Sequence, residues 1–254
     1  MRIVILTSGG VVASLTYNAL VGQGFEISEI FKDIQFSKKL LIKKRIKKFG
    51  YFKVFGQLLF QTLVVKLLNI YYRKYLIELK DKFGVNSNWE KYAKSVVGIN
   101  SDEAILAIKN SSPDLIVLAG TKVLSKRFLS NFQCPIVNVH VGITPKYRGV
   151  HGGYWALVNG DSQNLGVTVH FVDSGIDTGK VIRQVKVDVN SKDSFVTYGI
   201  KQLKAGVDLL AMVLNEYRSS NKFNTIETDK SQSKLYSHPT LFEYITNFVL
   251  KGVK

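Results

Sequence analysis

The stretch "IVNVHVGITPKYRG", residues 136–149, sets an amide and an imidazole two residues apart at the end of an apolar run. In an extended strand the side chains at i and i+2 point to one side, so Asn138 and His140 can face one atom of a bound molecule. Such a pair puts a hydrogen-bond donor beside a group that titrates near neutral pH. On the residues alone two readings stay open: Asn138 caps a turn and His140 is a satisfied interior histidine, or both serve a reacting centre. A second group, "SGIDTG" at 174–179, holds Asp177 between Gly175 and Gly179, in a connection whose glycines permit close approach of a ligand. If the flanking strands pair beside the one carrying His140, Asp177 reaches the imidazole, holds it protonated and accepts a proton through water. His170, further back, reads as a structural hydrogen-bonding residue rather than a second base.

These side chains need elements to position them. "RIVILT" at 2–7 reads as a buried strand, followed by "SGG" and a helix ending near Gly22 or Gly24. Strands are expected at 95–100 and 114–120, with a helix between them capped by Ser101 and acidic in its first turn. A short helix at 125–132 precedes a strand at 135–140. Strand, helix, strand in that order predicts an α/β fold, a doubly wound, mostly parallel, Rossmann-like sheet covered on both faces. In such sheets ligands bind outside the carboxyl ends of the strands, where Asn138 and His140 lie. Beyond them the pattern predicts a short helix near 152–161, alternating strands at 166–173 and 179–189, a long helix over 195–217 and another at 240–250. The expected organisation is a core over 1–190 and a helical extension over 191–254 packed on it. A basic helical insertion at about 37–83 interrupts the core between the first helix and the second strand.

A chain of 254 residues buries a sizeable core without staples. Cys134 is its single cysteine, which excludes an internal disulfide and a cysteine zinc cluster; a packing role and a reducing, cytoplasmic setting are expected. The N-terminus lacks the pattern of a signal peptide. The most apolar segment, residues 54–72, is broken by Gln57, Gln61 and Lys66, so a buried or interfacial helix is expected in place of an uninterrupted membrane span. Charge is concentrated. Of a formal net +16, residues 38–80 carry twelve Lys and Arg against one acid, Glu78, a local +11. Such a patch suits nucleic acid, an anionic membrane surface or a phosphorylated substrate.

"LAGTKVL", "NVHVGITPKYRG" and "VTVHFVDSGIDTGKVI" together resemble the core of the folate-dependent formyltransferases. That group includes the glycinamide ribonucleotide, methionyl-tRNA and nucleotide-sugar enzymes. The likeness covers residues 95–190 well, with Asn, His and Asp in the family's order, its Pro-x-Tyr-Arg-Gly element and its His-to-Asp interval of seven. It implies Asn138, His140 and Asp177 as catalytic residues, 10-formyltetrahydrofolate as formyl donor, and no metal. For the donor's pterin it implies a pocket formed by Leu118, Gly120, Thr121, Val123, Leu124, Val172, Asp173 and Gly175. Acceptor contacts are expected from Ser8, Gly9, Gly10, Lys146, Tyr147, Arg148 and Trp155, the tyrosine and tryptophan being stacking or core residues.

Departures from the family pattern bear on the acceptor. "VGITP" stands where tRNA and glycinamide ribonucleotide enzymes usually carry Ser-Leu-Leu-Pro, the phosphate loop is shortened to "SGGVV", and the chain is too short for the tRNA enzyme's barrel domain. These features favour an amino group on a nucleotide-linked sugar for surface polysaccharides. The alternatives are glycinamide ribonucleotide, hydrolytic deformylation of the folate, and a non-catalytic basic module binding RNA or membrane. The basic insertion reads either as a solvated face or as a peripheral contact with the inner membrane face, with nucleic acid not favoured. The oligomeric state is open, a homodimer included.

Overall fold

A computed structural model describes residues 1–35 and 38–254; residue 37, the first of the expected insertion, lies outside the described residues. Strand β1 (Ile3–Thr7) leads into helix α1 (Val11–Gly22) and strand β2 (Ile27–Asp33). Four helices follow: α2 (Lys38–Phe49), α3 (Tyr51–Leu59), α4 (Val65–Tyr71) and α5 (Arg73–Lys82). Then come β3 (Ala93–Val96), α6 (Asp102–Asn110), β4 (Leu115–Ala119), α7 (Lys126–Leu129), β5 (Ile136–His140) and the short β6 (Arg148–Gly149). The remainder is α8 (Gly152–Val158), β7 (Gly166–Phe171), β8 (Val181–Lys186), α9 (Phe195–Ser220), the short β9 (Leu235–Tyr236) and α10 (Leu241–Lys251).

The main sheet has the order β3-β2-β1-β4-β5-β7-β8, parallel from β3 to β5 and antiparallel across β5-β7-β8. Every residue of β1 is buried, because alternate side chains enter separate cores. Ile3 and Ile5 pack with Leu20 of α1 and Leu209, Leu210 and Val213 of α9. Val4 and Leu6 pack with Ile105 and Ile108 of α6 and Phe128 of α7. This two-faced burial is what a run of β-branched residues without alternation encodes. Ser101 accepts from the Ala104 N–H and caps α6 as expected. Ser194 with Thr197, and Thr240 with Glu243, form capping boxes that start α9 and α10.

Three expectations are corrected. The second strand is β2, not the segment at 95–100, so the basic insertion lies between β2 and β3. The strand there is shorter, ending at Val96. Helix α9, part of the extension expected over 191–254, packs on one face of the main sheet and supplies part of its largest apolar cluster. Finally, Gln57, Gln61 and Lys66 do not take the segment below the length and apolarity of a membrane-crossing helix. Through a π-turn at Phe60–Val64, α3 and α4 run continuously from Tyr51 to Tyr71, 21 residues that are long and apolar enough to cross a membrane by length and composition.

That run nevertheless lies against the domain. Phe60 is wholly buried between Phe195 and Tyr244, a contribution of roughly 1.5–3 kcal/mol for its burial. Gln57, also buried, donates to Ser237 Oγ at 3.1 Å and the His238 carbonyl at 2.7 Å, and accepts from the Arg45 guanidinium at 2.6 Å.

Candidate active site

β7 lies antiparallel to β5, with Asn138 opposite His170 and His140 opposite Thr168. The connection from β7 to β8 therefore folds over the carboxyl end of β5 and brings Asp177 with it. Asp177 holds φ at 52°, a left-handed conformation that aims its carboxylate back at the sheet. It accepts from the Gly149 N–H at 2.8 Å and lies 3.4 Å from His140 Nδ1 and 3.7 Å from His170 Nε2.

The proton positions follow from the partners. His140 Nε2 donates to the Tyr147 carbonyl at 2.7 Å; a carbonyl only accepts, so Nδ1 is the edge left for Asp177 and the cavity. His170 Nδ1 donates to the Phe171 carbonyl at 2.7 Å. Burial pushes the pKa of His170 below the ordinary histidine value, against the opposing pull of the Phe171 carbonyl and Asp177. A neutral ring protonated on Nδ1 has a bare Nε2, and Asn138 Nδ2 donates to it at 3.2 Å. His170 thereby fixes which way the Asn138 amide faces, leaving its second N–H free.

Two glycines make this packing possible. A Cβ at Gly142 would strike the Tyr147 carbonyl and His140 Nε2. Gly149 has φ 94° and pairs with Tyr236 in the short parallel ladder of β6 and β9, where a Cβ would strike the Tyr236 carbonyl. The backbone N–H that holds Asp177 is thus itself held by the tail of the chain.

Asn138, His140 and Asp177 open onto one cavity of about 400 Å³. Leu118, Gly120, Thr121, Val123, Leu124, Val172, Asp173 and Gly175 all lie on its wall, together with Lys122 and His170. Its size is that of a small-molecule site. Among the described residues the buried Thr121 hydroxyl has no partner, so the wall holds a polar group that a ligand would satisfy. Lys122 pairs with the buried Asp33 at 2.9 Å. Burial alone would raise the Asp33 carboxyl; the hydrogen bonds from Lys122 and the N–H groups of Gln35 and Ile99 outweigh it and hold it below the usual value. A larger cleft of about 560 Å³ between α1 and α9, lined by Asn18, Asp208 and Met212, contains none of these groups. Convergent donors and titratable groups, not volume, select the smaller one.

The expected acceptor contacts fare differently. Ser8, Gly9 and Gly10 precede α1 and do not line the cavity; the Gly9 N–H donates to Thr7 Oγ1. Lys146 pairs with Asp161 at 2.6 Å, and Tyr147, wholly buried, donates its hydroxyl to the same carboxylate at 2.8 Å. Trp155 stacks on Tyr236 and donates to the Ser237 carbonyl at 3.0 Å. The tyrosine and tryptophan are therefore packing residues, each ring satisfied at its polar end. Arg148 donates to the Ile176 carbonyl at 3.0 Å and braces the loop that carries Asp177. Sequence reading missed the Gly149 N–H and the Tyr147 carbonyl, which act through the backbone and carry no residue-type signal.

A family model described as formyl transferase matches residues 83–214. The methionyl-tRNA formyltransferase of Finegoldia magna is 33% identical over 121 residues, 47% of this chain and 39% of that protein. The phosphoribosylglycinamide formyltransferase of Escherichia coli is 43% identical over 93 residues, 36% of this chain and 43% of that protein. The chain spans less than half the length of these curated relatives. In fold, a sugar N-formyltransferase from a Shewanella species superposes with TM-score 0.58 at 15% identity, covering 93% of this chain and 76% of that one. With the matched segment holding Asn138, His140 and Asp177 together with the strands that position them, the chain belongs to the formyl transferase family.

Proposed function

We propose that the protein transfers a formyl group from 10-formyltetrahydrofolate to a primary amine, and that Asn138, His140 and Asp177 carry the reaction. The single observation behind this reading is their convergence on one cavity, with the orphaned Thr121 hydroxyl and the apolar Leu118, Leu124 and Val172 available to a pterin. The bound folate supplies the formyl group. As the amine attacks, the new N–C bond forms, the carbon–nitrogen bond to the folate breaks, and one proton passes from the amine to the leaving nitrogen. The free N–H of Asn138 and the Nδ1 edge of His140 face the oxygen on which negative charge grows. Asp177, tied to Gly149, orients His140 and accepts the amine's proton through water.

The acceptor we assign is an amino group on a nucleotide-linked sugar. "VGITP" after His140 and the shortened "SGG" turn support it, and a formal net charge of +16 favours a phosphate-bearing molecule. A screen of amino-sugar nucleotides with 10-formyltetrahydrofolate, read by tetrahydrofolate release and product mass, tests donor and acceptor together. Turnover with glycinamide ribonucleotide alone would reassign the acceptor, a reading favoured by the 43% identity to the Escherichia coli enzyme. Folate consumption without any acceptor would make the protein a deformylase.

A further inference from the structure

The face of the insertion turned away from the core is apolar. Along the continuous run from Tyr51 to Tyr71, Phe52 is 95% exposed, Leu67 65% and Ile70 63%. Positions 52, 55, 63, 67 and 70 are spaced at helical intervals, so they form one stripe, with exposed tyrosines at both ends of the run. Helix α10 lies beside it. Thr240 packs on Gly56 at one end, and Phe248 shares with Leu67 and Leu68 an apolar groove of about 500 Å³ at the other. Its own outward side carries Phe242, 75% exposed, and Val249, 70% exposed. The two stripes lie on neighbouring helices that meet at this groove, and exposed apolar side chains in such an array mark an interaction site.

The surroundings of this surface identify its occupant. α2 packs beside α3 and presents Lys43, Lys44, Lys47 and Lys48 to solvent, Lys53 and Lys66 stand exposed on the run itself, and Glu78 is the only acid between residues 38 and 80. A second copy seated here by two-fold symmetry would bring +11 against +11. An anionic bilayer meets both properties, taking apolar side chains at the acyl boundary while its headgroups pair with the lysines. The run cannot span that bilayer, because Gln57 and Phe60 are fully buried against the domain. We infer that the α3–α4 run and α10 together form an in-plane docking surface for anionic lipid, with Phe52, Leu67, Phe242 and Val249 entering the interface and the α2 lysines lying over headgroups. This rests on the outer surface and not on the reaction assigned to the cavity.

The test is flotation of the whole chain with vesicles of phosphatidylcholine alone and of equimolar phosphatidylcholine and phosphatidylglycerol. The expected result is binding to the second only, reduced about tenfold or more in Phe52→Asp/Leu67→Asp/Phe242→Asp, since each substitution removes apolar burial. Lys43→Gln/Lys44→Gln/Lys47→Gln/Lys48→Gln reduces it as well. All seven positions are exposed, and circular dichroism verifies that both variants are folded. In a separate Phe52→Trp variant, emission shifts to the blue with the anionic vesicles. Absence of binding to anionic vesicles overturns the inference, as does binding that survives the aspartate substitutions, which would reduce the surface to an electrostatic contact. A dimer seen by analytical ultracentrifugation in wild type and lost in the aspartate variant would assign the face to a second copy instead.

Discussion

His140 meets an acceptor at each nitrogen, the Tyr147 carbonyl at 2.7 Å and the Asp177 carboxylate at 3.4 Å, and it cannot turn without losing both. In the proposed reaction, replacing it, or replacing Asp177, removes groups that act on the developing charge. His140→Ala and Asp177→Asn are each expected to lower kcat by about 10²- to 10⁴-fold while urea unfolding stays near wild type. Wild-type turnover in either would refute their roles. Asn138→Ala should cost about 2.7–4 kcal/mol of barrier with donor KM little changed. His170 is a positioning residue, so its expected signature differs. His170→Gln keeps an acceptor for Asn138 and should retain more turnover than His170→Leu, both with near-normal KM; equal losses would show that orienting the amide is not its contribution. At this scale the site was legible where residue type carries the chemistry. The i, i+2 pair and the glycine-flanked Asp177 announce themselves, whereas Gly149 and Tyr147 contribute main-chain atoms that only the folded path brings into place.

Elements were legible where their burial is simple. β1, β4 and β5 are apolar runs inside the sheet, and α6 carries its cap in sequence. β2 was not, because Glu29, Lys32 and Asp33 break its alternation and are satisfied by Lys94, Glu90 and Lys122, partners no local pattern reveals. The junction between α8 and the tail is likewise tertiary. His151, at the start of α8, shares a 2.8 Å hydrogen bond with His238, one ring donating and the other accepting. Burial pushes His151 down to about 3; burial first and then Arg45 push His238 down to about 4. Folded-state values below the unfolded one mean that the stabilisation is fully present above about pH 6.5 and is lost as pH falls toward those values. Urea midpoints should therefore drop between about pH 6.5 and about pH 4, and His238→Gln should flatten that part of the profile. An unchanged slope in the variant would remove the pair from the acid response. Gly56→Leu is expected to cost about 1–3 kcal/mol by forcing Thr240 and the start of α10 away from α3, read as a lower melting temperature.

A formal charge of +16 surrounds the whole molecule with a positive potential that extends beyond any one contact. For a doubly charged acceptor, kcat/KM should fall steeply as salt is added up to physiological ionic strength, where the Debye length is about 8 Å, while kcat holds. An uncharged amine of similar shape should show no such dependence. The ladder between Arg148–Gly149 and Leu235–Tyr236 bears on how the molecule comes into being. Asn138, His140 and Asp177 are synthesised before Tyr236, which seats the amide holding Asp177 and follows that aspartate by 59 residues. At about 5–20 residues per second the nascent chain spends roughly 3 to 12 s with Asn138, His140 and Asp177 made and their brace not yet synthesised. A polypeptide stalled in that interval would carry the whole constellation yet lack its geometry, so the site takes shape only once Tyr236 has left the ribosome.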